Sequence, residues 1–173
     1  TWIKRGLIWI KYFKSQARET PLVWLKINEP TGQIVTKNET KKLIQAIKQD
    51  KIDAIISDHS PENIENKDCE FEHAAFGTIN LETSFAAANT VLREEVSLET
   101  IIRKFTEGPR TILQLPAYTI EEGVDANLTL FNPTLTWTYD VHESASISRN
   151  SGLDGRELVG KPMGIINNGR YHV

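Results

Sequence analysis

The sequence predicts an α/β chain that forms one domain, or one domain with a small appendage. Between residues 22 and 56, apolar runs typical of strands flank an amphipathic helical pattern, and after Pro116 the apolar residues recur with the two-residue period of β-strands. A length of 173 residues is too short for a complete (β/α)₈ barrel. The hydrophobic fraction of 39% and charged fraction of 25% are those of a globular protein, so we expect a buried core.

The first third of the chain has the order strand, helix, strand. Residues 22–27 are a short apolar run, and turn formers follow at residues 28–32, which predicts a strand and then a loop. Thr36 and Glu39 have the spacing of a capping box, and apolar residues follow them at helical spacing. Residues 54–56 form a compact apolar run that is typical of a parallel strand buried on both faces.

The middle of the chain begins with a long polar loop at residues 61–73, a length that usually indicates function or disorder. Helical patterns then cover residues 81–92 and residues 97–105. The Gly-Pro pair at residues 108–109 is expected to end the second of these helices. Residues 110–115 could form one more short helix.

The last part of the chain is predicted to be β-structure. Apolar and polar residues alternate over residues 126–130, and Trp137 lies between threonines. The Asn-Gly pair at residues 168–169 is the preferred two-residue hairpin turn. We therefore place a domain boundary near Pro116.

Composition argues against several classes of partner. The net charge is -3, from 20 basic and 23 acidic residues spread along the chain, so no electrostatic footprint for nucleic acid exists. The apolar opening stretch is interrupted by Lys4, Arg5 and Lys11 and is too short to span a membrane. Cys69, the single cysteine, has no disulfide partner within the chain, which favours a reducing cytoplasm.

Asp58 stands where the predicted buried strand gives way to the long loop. Ligands and catalytic groups gather at the carboxyl ends of strands in parallel α/β proteins, so this position favours an Asp that binds a metal or takes a proton. The alternative is an Asp that caps a turn, which is a common role for this residue type. His59 is a candidate ligand or base, although a lone histidine beside a strand is more often a hydrogen-bonded structural residue.

Gly77 closes the long loop and precedes a helical pattern. A glycine there lets backbone N–H groups approach an anionic ligand, and the alternative is the plain start of a helix. The other three histidines are isolated, and neither His-x-His nor His-Glu-x-x-His occurs, so these patterns predict no complete zinc site in this chain. Trp137 has no interleaved basic residues, which indicates packing in a sheet rather than a stacking platform for bases.

Taken in order, these motifs resemble those of the dihydroorotases of the amidohydrolase superfamily. The resemblance covers about residues 36–170 and is most similar to the dihydroorotase-like chains of Bacteroidetes-type bacteria. In the first part it lies in Asp58-His-Ser-Pro, a charged loop with Phe71, Ala75-Phe76-Gly77 and Leu81-Glu82-Thr83. In the second part it lies in residues 119–131, Trp137-Thr138, Ser148-Arg149-Asn150, Gly160-Lys161 and Asn168-Gly169-Arg170.

The resemblance implies the C-terminal part of a (β/α)₈ barrel in residues 1–115, with residues 1–22 unassigned, and a small β-sandwich segment in residues 116–173. It implies a cytoplasmic, Zn²⁺-dependent hydrolase that interconverts dihydroorotate and carbamoyl aspartate in pyrimidine biosynthesis. Asp58 matches the family's aspartate that binds metal and acts as general base. The positions that match substrate-binding residues are Asn28, Glu62, Phe76 and Gly77.

Two departures from the family pattern bear on activity. Glu62 stands where the family usually has a His that contacts the substrate carboxylate, and two acids in contact are expected to repel each other. The family's other metal ligands precede the matched region, and residues 1–35 do not supply them. We therefore expect a chain that is truncated or replaced in its first part, for example by a frameshift, and that is inactive alone.

Two other hypotheses compete with the enzyme. A non-catalytic homologue that acts as a structural partner of aspartate carbamoyltransferase would tolerate both departures. An unrelated α/β binding domain is the third hypothesis, and the order of the motifs argues against it. Because the last strands of an incomplete barrel would be exposed, we also expect the isolated chain to associate, for example as a homo-oligomer.

Overall fold

The computed structural model describes residues 10–11, 24–25, 37–70, 73–75, 77–117, 119–167 and 169–172. Strand β1 (Ile10–Lys11) pairs antiparallel with β2 (Trp24–Leu25). The second of these lies inside the strand predicted at residues 22–27, and the rest of that strand lies outside the described residues, as does the predicted cap Thr36.

Three helices follow the sequence patterns closely. Helix α1 (Lys37–Lys48) confirms the amphipathic pattern, and helix α2 (Ser84–Leu92) begins three residues later than its pattern. Helix α3 (Leu98–Phe105) is capped by Ser97, whose side chain accepts a hydrogen bond from the N–H of Thr100 at 3.3 Å. This cap satisfies one of the backbone donors that a helix leaves open at its N-terminus.

The prediction that residues 108–109 end α3 is wrong. The helix ends at Phe105, and α4 (Glu107–Ile112) starts after Thr106, whose ψ of -76° departs from the helical value. Pro109 lies in the first turn of α4, where its missing N–H has no intrahelical acceptor to lose. The same Gly-Pro pair therefore begins a helix here.

The prediction of a parallel strand at residues 54–56 is right about burial and wrong about hydrogen bonding. Ala54 and Ile55 are buried, but no strand is assigned between residues 51 and 60. The N–H of Ile55 donates instead to the carbonyl of Lys104, at the end of α3, at 2.8 Å. A parallel ladder needs a neighbouring strand, and the part of the chain that the structure describes places none beside this segment.

Helix α2 lies between two hydrophobic clusters and contributes to both. The first cluster also includes residues of α1, α3 and the 52–55 segment: Ile44, Ile47, Ile52, Ile55, Ala88, Leu92, Val96 and Ile101. The second joins α2 to the C-terminal sheet and comprises Ile79, Ala86, Ala87, Tyr139, Val141, Leu153 and Leu158. A helix that is apolar on most of its surface is typical of such a central position.

Strands β3 (Leu128–Thr138), β4 (Glu157–Asn167) and β5 (Arg170–His172) form an antiparallel sheet in that order. The pairing of Asn167 with Arg170 encloses a two-residue turn, and Gly169 has a φ of 72°, which confirms the predicted Asn-Gly hairpin. The described residues are thus part of an α/β fold with a small antiparallel sheet. The completed barrel and the boundary near Pro116 stay predictions.

Trp137 packs in the sheet, as predicted. Its ring lies against the second cluster, and its Nε1–H donates to the carbonyl of Gly160 at 3.2 Å. Lys161 places its Nζ 5.0 Å from the ring centroid, which is a cation–π contact. The sequence did not indicate this contact, because no basic residue lies close to Trp137 along the chain. None of the helices in the described ranges is long and apolar enough to cross a membrane.

Polar contacts fix α2 to the sheet. Asn89, almost fully buried, donates from Nδ2 to the carbonyls of Pro133 at 3.0 Å and Val159 at 2.9 Å. The hydroxyl of Thr90 accepts the N–H of Val159 at 2.8 Å. Gly160 has a φ of +97°, and a Cβ there would stand 2.9 Å from Asn89 Nδ2.

We expect Gly160→Ala to destabilise the chain more than Gly123→Ala. Both glycines have positive φ values, +97° and +86°, so the left-handed conformation makes each alanine variant about 1 kcal/mol less stable. Gly123 has open space around it, whereas an alanine at position 160 would collide with Asn89 and Phe85. This collision would lower the free energy of unfolding by about 1–3 kcal/mol more. Urea unfolding of the two variants measures the difference, and equal losses would contradict the close approach of α2 to β4.

Candidate functional site

The structure brings three of the five predicted site residues together. Asp58 and Glu62 lie on one segment, and Gly77 lies against it, since a Cβ on Gly77 would stand 3.1 Å from Glu62 Cγ. Asn28 and Phe76 lie outside the described residues. The candidate site is therefore the contact between residues 57–62 and residues 77–81.

Asp58 adopts an unusual backbone conformation at the start of this site. Its φ is +46°, in the left-handed region that few residues other than Gly, Asn and Asp adopt, and its side chain is half-buried. Within the described residues its carboxylate accepts no hydrogen bond, so the alternative of an Asp that caps a turn finds no support there. A left-handed residue at this point turns the chain sharply out of the buried 52–56 segment.

Hydrogen bonds fix the backbone on both sides of Asp58. The N–H of Ser60 donates to the carbonyl of Thr78 at 2.9 Å. On the other side, the side-chain amide of Asn80 donates to the carbonyl of Ser57 at 3.3 Å. The carboxylate thus projects from a segment that is held at both ends, which is how a reactive group keeps a fixed position.

His59 is a structural residue in this arrangement, as the more common role for a lone histidine predicts. Its Nδ1 accepts the backbone N–H groups of Asn80 and Leu81, each at 3.2 Å. The imidazole therefore ties the 57–62 segment to the turn that leads into α2.

Gly77 precedes a helix, as predicted, but it does not lie at the N-terminus of that helix. Helix α2 begins at Ser84, and residues 78–80 are used to pair with the 57–60 segment. Gly77 has a φ of +141°, and a Cβ there would lie 2.8 Å from the carbonyl oxygen of Ser60. The glycine is required for the close approach of two loop segments and not for a helix N-terminus.

Lys67 is a residue of the site that the sequence did not indicate. Its Nζ donates to the carbonyls of Ala75 at 2.6 Å and Gly77 at 2.8 Å. Burial lowers the pKa of Lys67, and the negative charge of Glu62 opposes that shift. A lysine in a polar loop is normally solvated, so no local pattern could have indicated this role.

Asn150 connects the C-terminal part of the chain to the site. The sequence patterns did not indicate this role, although Asn150 lies in the Ser-Arg-Asn stretch of the resemblance. Its Nδ2 donates to the carbonyl of Ser60 at 3.0 Å, and its Oδ1 accepts the N–H of Glu62 at 3.2 Å. Its own carbonyl accepts the N–H of Ile79 at 3.1 Å. One residue therefore holds both segments of the site.

The described residues do not fit a zinc pair. No group of three His, Cys, Asp or Glu side chains in those residues is close enough to hold a metal ion. Asp58 is one carboxylate, and the Nδ1 of His59 is engaged by two N–H groups. The buried Oγ1 of Thr78 has no hydrogen-bond partner, but a neutral hydroxyl is not a ligand that zinc prefers.

Solved structures show the class of fold. The L-hydantoinase (dihydropyrimidinase) from Arthrobacter aurescens matches 81% of this chain and 33% of its own, with a TM-score of 0.71 at 24% identity. The D-hydantoinase (dihydropyrimidinase) from a Thermus species matches 79% of this chain and 31% of its own, with a TM-score of 0.67 at 25% identity. The chain thus has part of the fold of hydantoinase-type amidohydrolases.

Sequence relatives define the group more narrowly. The dihydroorotase of Solibacter usitatus is 40% identical over 129 residues, which are 73% of this chain and 30% of the relative. The dihydroorotase of Carboxydothermus hydrogenoformans is 36% identical over 148 residues, 84% of this chain and 34% of the relative. No protein-family model matches the chain.

The chain is therefore homologous to the dihydroorotases over a portion like their C-terminal part. It spans about a third of the length of the curated relatives that it matches. The finer likeness to Bacteroidetes-type chains stays a prediction.

We expect Asn150→Ala to lower the free energy of unfolding by about 1–3 kcal/mol, because the N–H of Glu62 and the carbonyl of Ser60 lose their partner in a half-buried place. Asn63→Ala is the matched control, since Asn63 is exposed and its side chain caps nothing. That control should change stability by less than about 0.5 kcal/mol. Equal effects in urea unfolding would show that Asn150 does not hold the site.

Proposed function

We propose that the chain carries the Asp58 portion of a cyclic-amide hydrolase of the dihydroorotase type. The observation that supports this most directly is the state of Asp58: its backbone neighbours are fixed by hydrogen bonds, while its own carboxylate accepts none from the described residues. A half-buried acid that accepts no hydrogen bond from the described residues is a candidate functional group.

In this proposal Asp58 is the base of the reaction. Hydrolysis of a cyclic amide needs a group that takes a proton from the attacking water and returns it to the departing ring nitrogen, and a carboxylate within hydrogen-bond reach can do both. Gly77 would contact the ring amide through its backbone, because its lack of a side chain already permits close approach to the Asp58 segment. Phe76, Glu62 and Asn28 are the further substrate-binding positions of the proposal.

We also propose Asp58 as one zinc ligand, by resemblance to the family. Since the described residues do not complete a metal site, we expect the chain to be inactive alone. The names of the relatives favour dihydroorotate and carbamoyl aspartate as the substrate pair. Pyrimidine biosynthesis and a cytoplasmic location are part of the same proposal.

A second candidate function is that of a non-catalytic homologue, for example a structural partner of aspartate carbamoyltransferase. Glu62 favours it, because this acid lies beside the proposed ring-binding Gly77 and would repel the carboxylate of dihydroorotate. Exposed apolar side chains on the sheet, among them Leu130, Ile165 and Tyr171, favour association with another chain or with a second copy.

A chimera distinguishes the two functions. This chain's matched segment would replace the corresponding 129 residues of the Solibacter dihydroorotase, to which it is 40% identical. The proposal predicts a folded chimera that turns over dihydroorotate, and a loss of about hundredfold or more in kcat when Asp58→Asn is introduced, the usual scale of a lost acid–base group. Lys48→Met in the same chimera is the control, because Lys48 pairs with Glu95 on the surface.

Turnover by the Asp58→Asn chimera at the rate of its parent would contradict the role of Asp58. A chimera that folds, keeps its metal and has no activity, with activity restored by Glu62→His, would favour the non-catalytic homologue. The metal content of each chimera is measured alongside the rate, so that loss of metal and loss of the base are separated.

A further inference from the structure

Glu82 connects the turn before α2 to a loop in the C-terminal part of the chain. One oxygen of its carboxylate, Oε1, accepts the hydroxyl of Ser144 at 2.7 Å and the N–H of Ala145 at 3.0 Å. Hydrogen bonds to a charged acceptor are roughly twice as strong as those between neutral groups. Because Ser144 is buried, water competes little for its hydroxyl. This carboxylate therefore holds one end of the loop of residues 144–150.

The 144–150 loop is also held together from within. The guanidinium of Arg149 donates through one nitrogen to the carbonyl of Ser146 and, at 3.4 Å each, to those of Ser144 and Ser148. The hydroxyl of Ser144 accepts the N–H of Ser146 at 3.2 Å. Because these bonds cross the loop, we expect it to move as one unit.

The other end of the 144–150 loop is Asn150, which holds the candidate site. Its side chain donates to the carbonyl of Ser60 and accepts the N–H of Glu62, and its carbonyl accepts the N–H of Ile79. The loop therefore contacts the site segments twice, through Asn150 at one end and through Glu82 at the other.

Together these contacts form a closed circuit around the segment that carries Asp58. Glu82 lies one residue after the second N–H that His59, the neighbour of Asp58, accepts. From Glu82 the circuit runs through the loop and returns to the same segment at Asn150. Two attachment points remove the rotation that a single one permits, which is how supporting hydrogen bonds keep a functional group in place.

We propose that Glu82 is a positioning residue that sets, through the 144–150 loop, where Asn150 holds the segment carrying Asp58. This inference rests on the proposed function and adds a residue outside the predicted site residues. Glu82 acts through the loop and does not contact the substrate. Its bonds to Ser144 and Ala145 make the C-terminal part of the chain a component of the site.

The first test is amide hydrogen exchange of the full chain, followed by NMR. Glu82→Met removes the carboxylate, so the amide of Ala145 should exchange faster whatever the role of the contact. The amides of Glu62 and Ile79 report the far end of the loop, because Asn150 accepts both. We expect their exchange to become about tenfold faster, the scale on which one hydrogen bond to a charged group changes a local opening.

Two further variants control this test. Glu82→Gln should restore slow exchange at both reporter amides, because an amide oxygen in the same place can accept both donors. Glu94→Met is the matched control, since Glu94 is exposed and pairs with its neighbour Arg93, and it should leave the reporter amides unchanged. The amide of Ile55 donates to a carbonyl outside the loop and should stay slow in every variant, which shows that the chain is folded.

The second test introduces the same substitutions into the chimera with the Solibacter dihydroorotase. Displacement of the Asp58 carboxylate is expected to lower kcat about tenfold or more in Glu82→Met, because catalysis is sensitive to small errors in the position of a reacting group. Glu82→Gln and Glu94→Met should keep the rate of their parent. Metal content is again measured beside each rate.

Two results would overturn the inference while the proposed function stands. One is faster exchange at Ala145 alone in Glu82→Met, with Glu62 and Ile79 unchanged, which would show a local contact. The other is a Glu82→Met chimera with the kcat of its parent. A parent chimera that folds and keeps its metal without activity would count against the proposed function, and exchange at Glu62 and Ile79 would still decide the inference.

Discussion

Helix α2 packs against both the helical part of the described structure and the C-terminal sheet. Its apolar surface contributes to two clusters at once, and the amide of Asn89 donates to two carbonyls of the sheet, those of Pro133 and Val159. The turn before α2 carries the N–H groups that His59 accepts. The packing of α2 therefore fixes its contact with the C-terminal sheet and the geometry of the segment that carries Asp58.

Features with a local cause could be predicted from the sequence. Helix α1 follows from apolar spacing, the cap of α3 from Ser97, and the last hairpin from its Asn-Gly pair. The predicted strand at residues 54–56 failed because a ladder depends on a neighbour that the described residues do not provide. Burial of that segment was predictable, since burial depends on its own composition.

The sequence patterns indicated where the candidate site lies, but they did not indicate the hydrogen bonds that hold its segments together. Asp58 was proposed from its place after an apolar run, and nothing in the sequence indicated its left-handed backbone. Lys67 and Asn150 bond to backbone carbonyls and N–H groups, and such partners leave no trace in residue spacing. The relatives support a class of chemistry only as a proposal, whereas the geometry shows which side chains make structural hydrogen bonds.

We propose Asp58 as a metal-ligating carboxylate, and the described residues do not complete a metal site around it. Zinc per chain, measured by mass spectrometry after dialysis against excess metal and then buffer, tests it most directly in the wild-type chain and in Asp58→Asn. We expect well below one zinc ion per wild-type chain, and less still in Asp58→Asn. One or two tightly held ions in both proteins would contradict it.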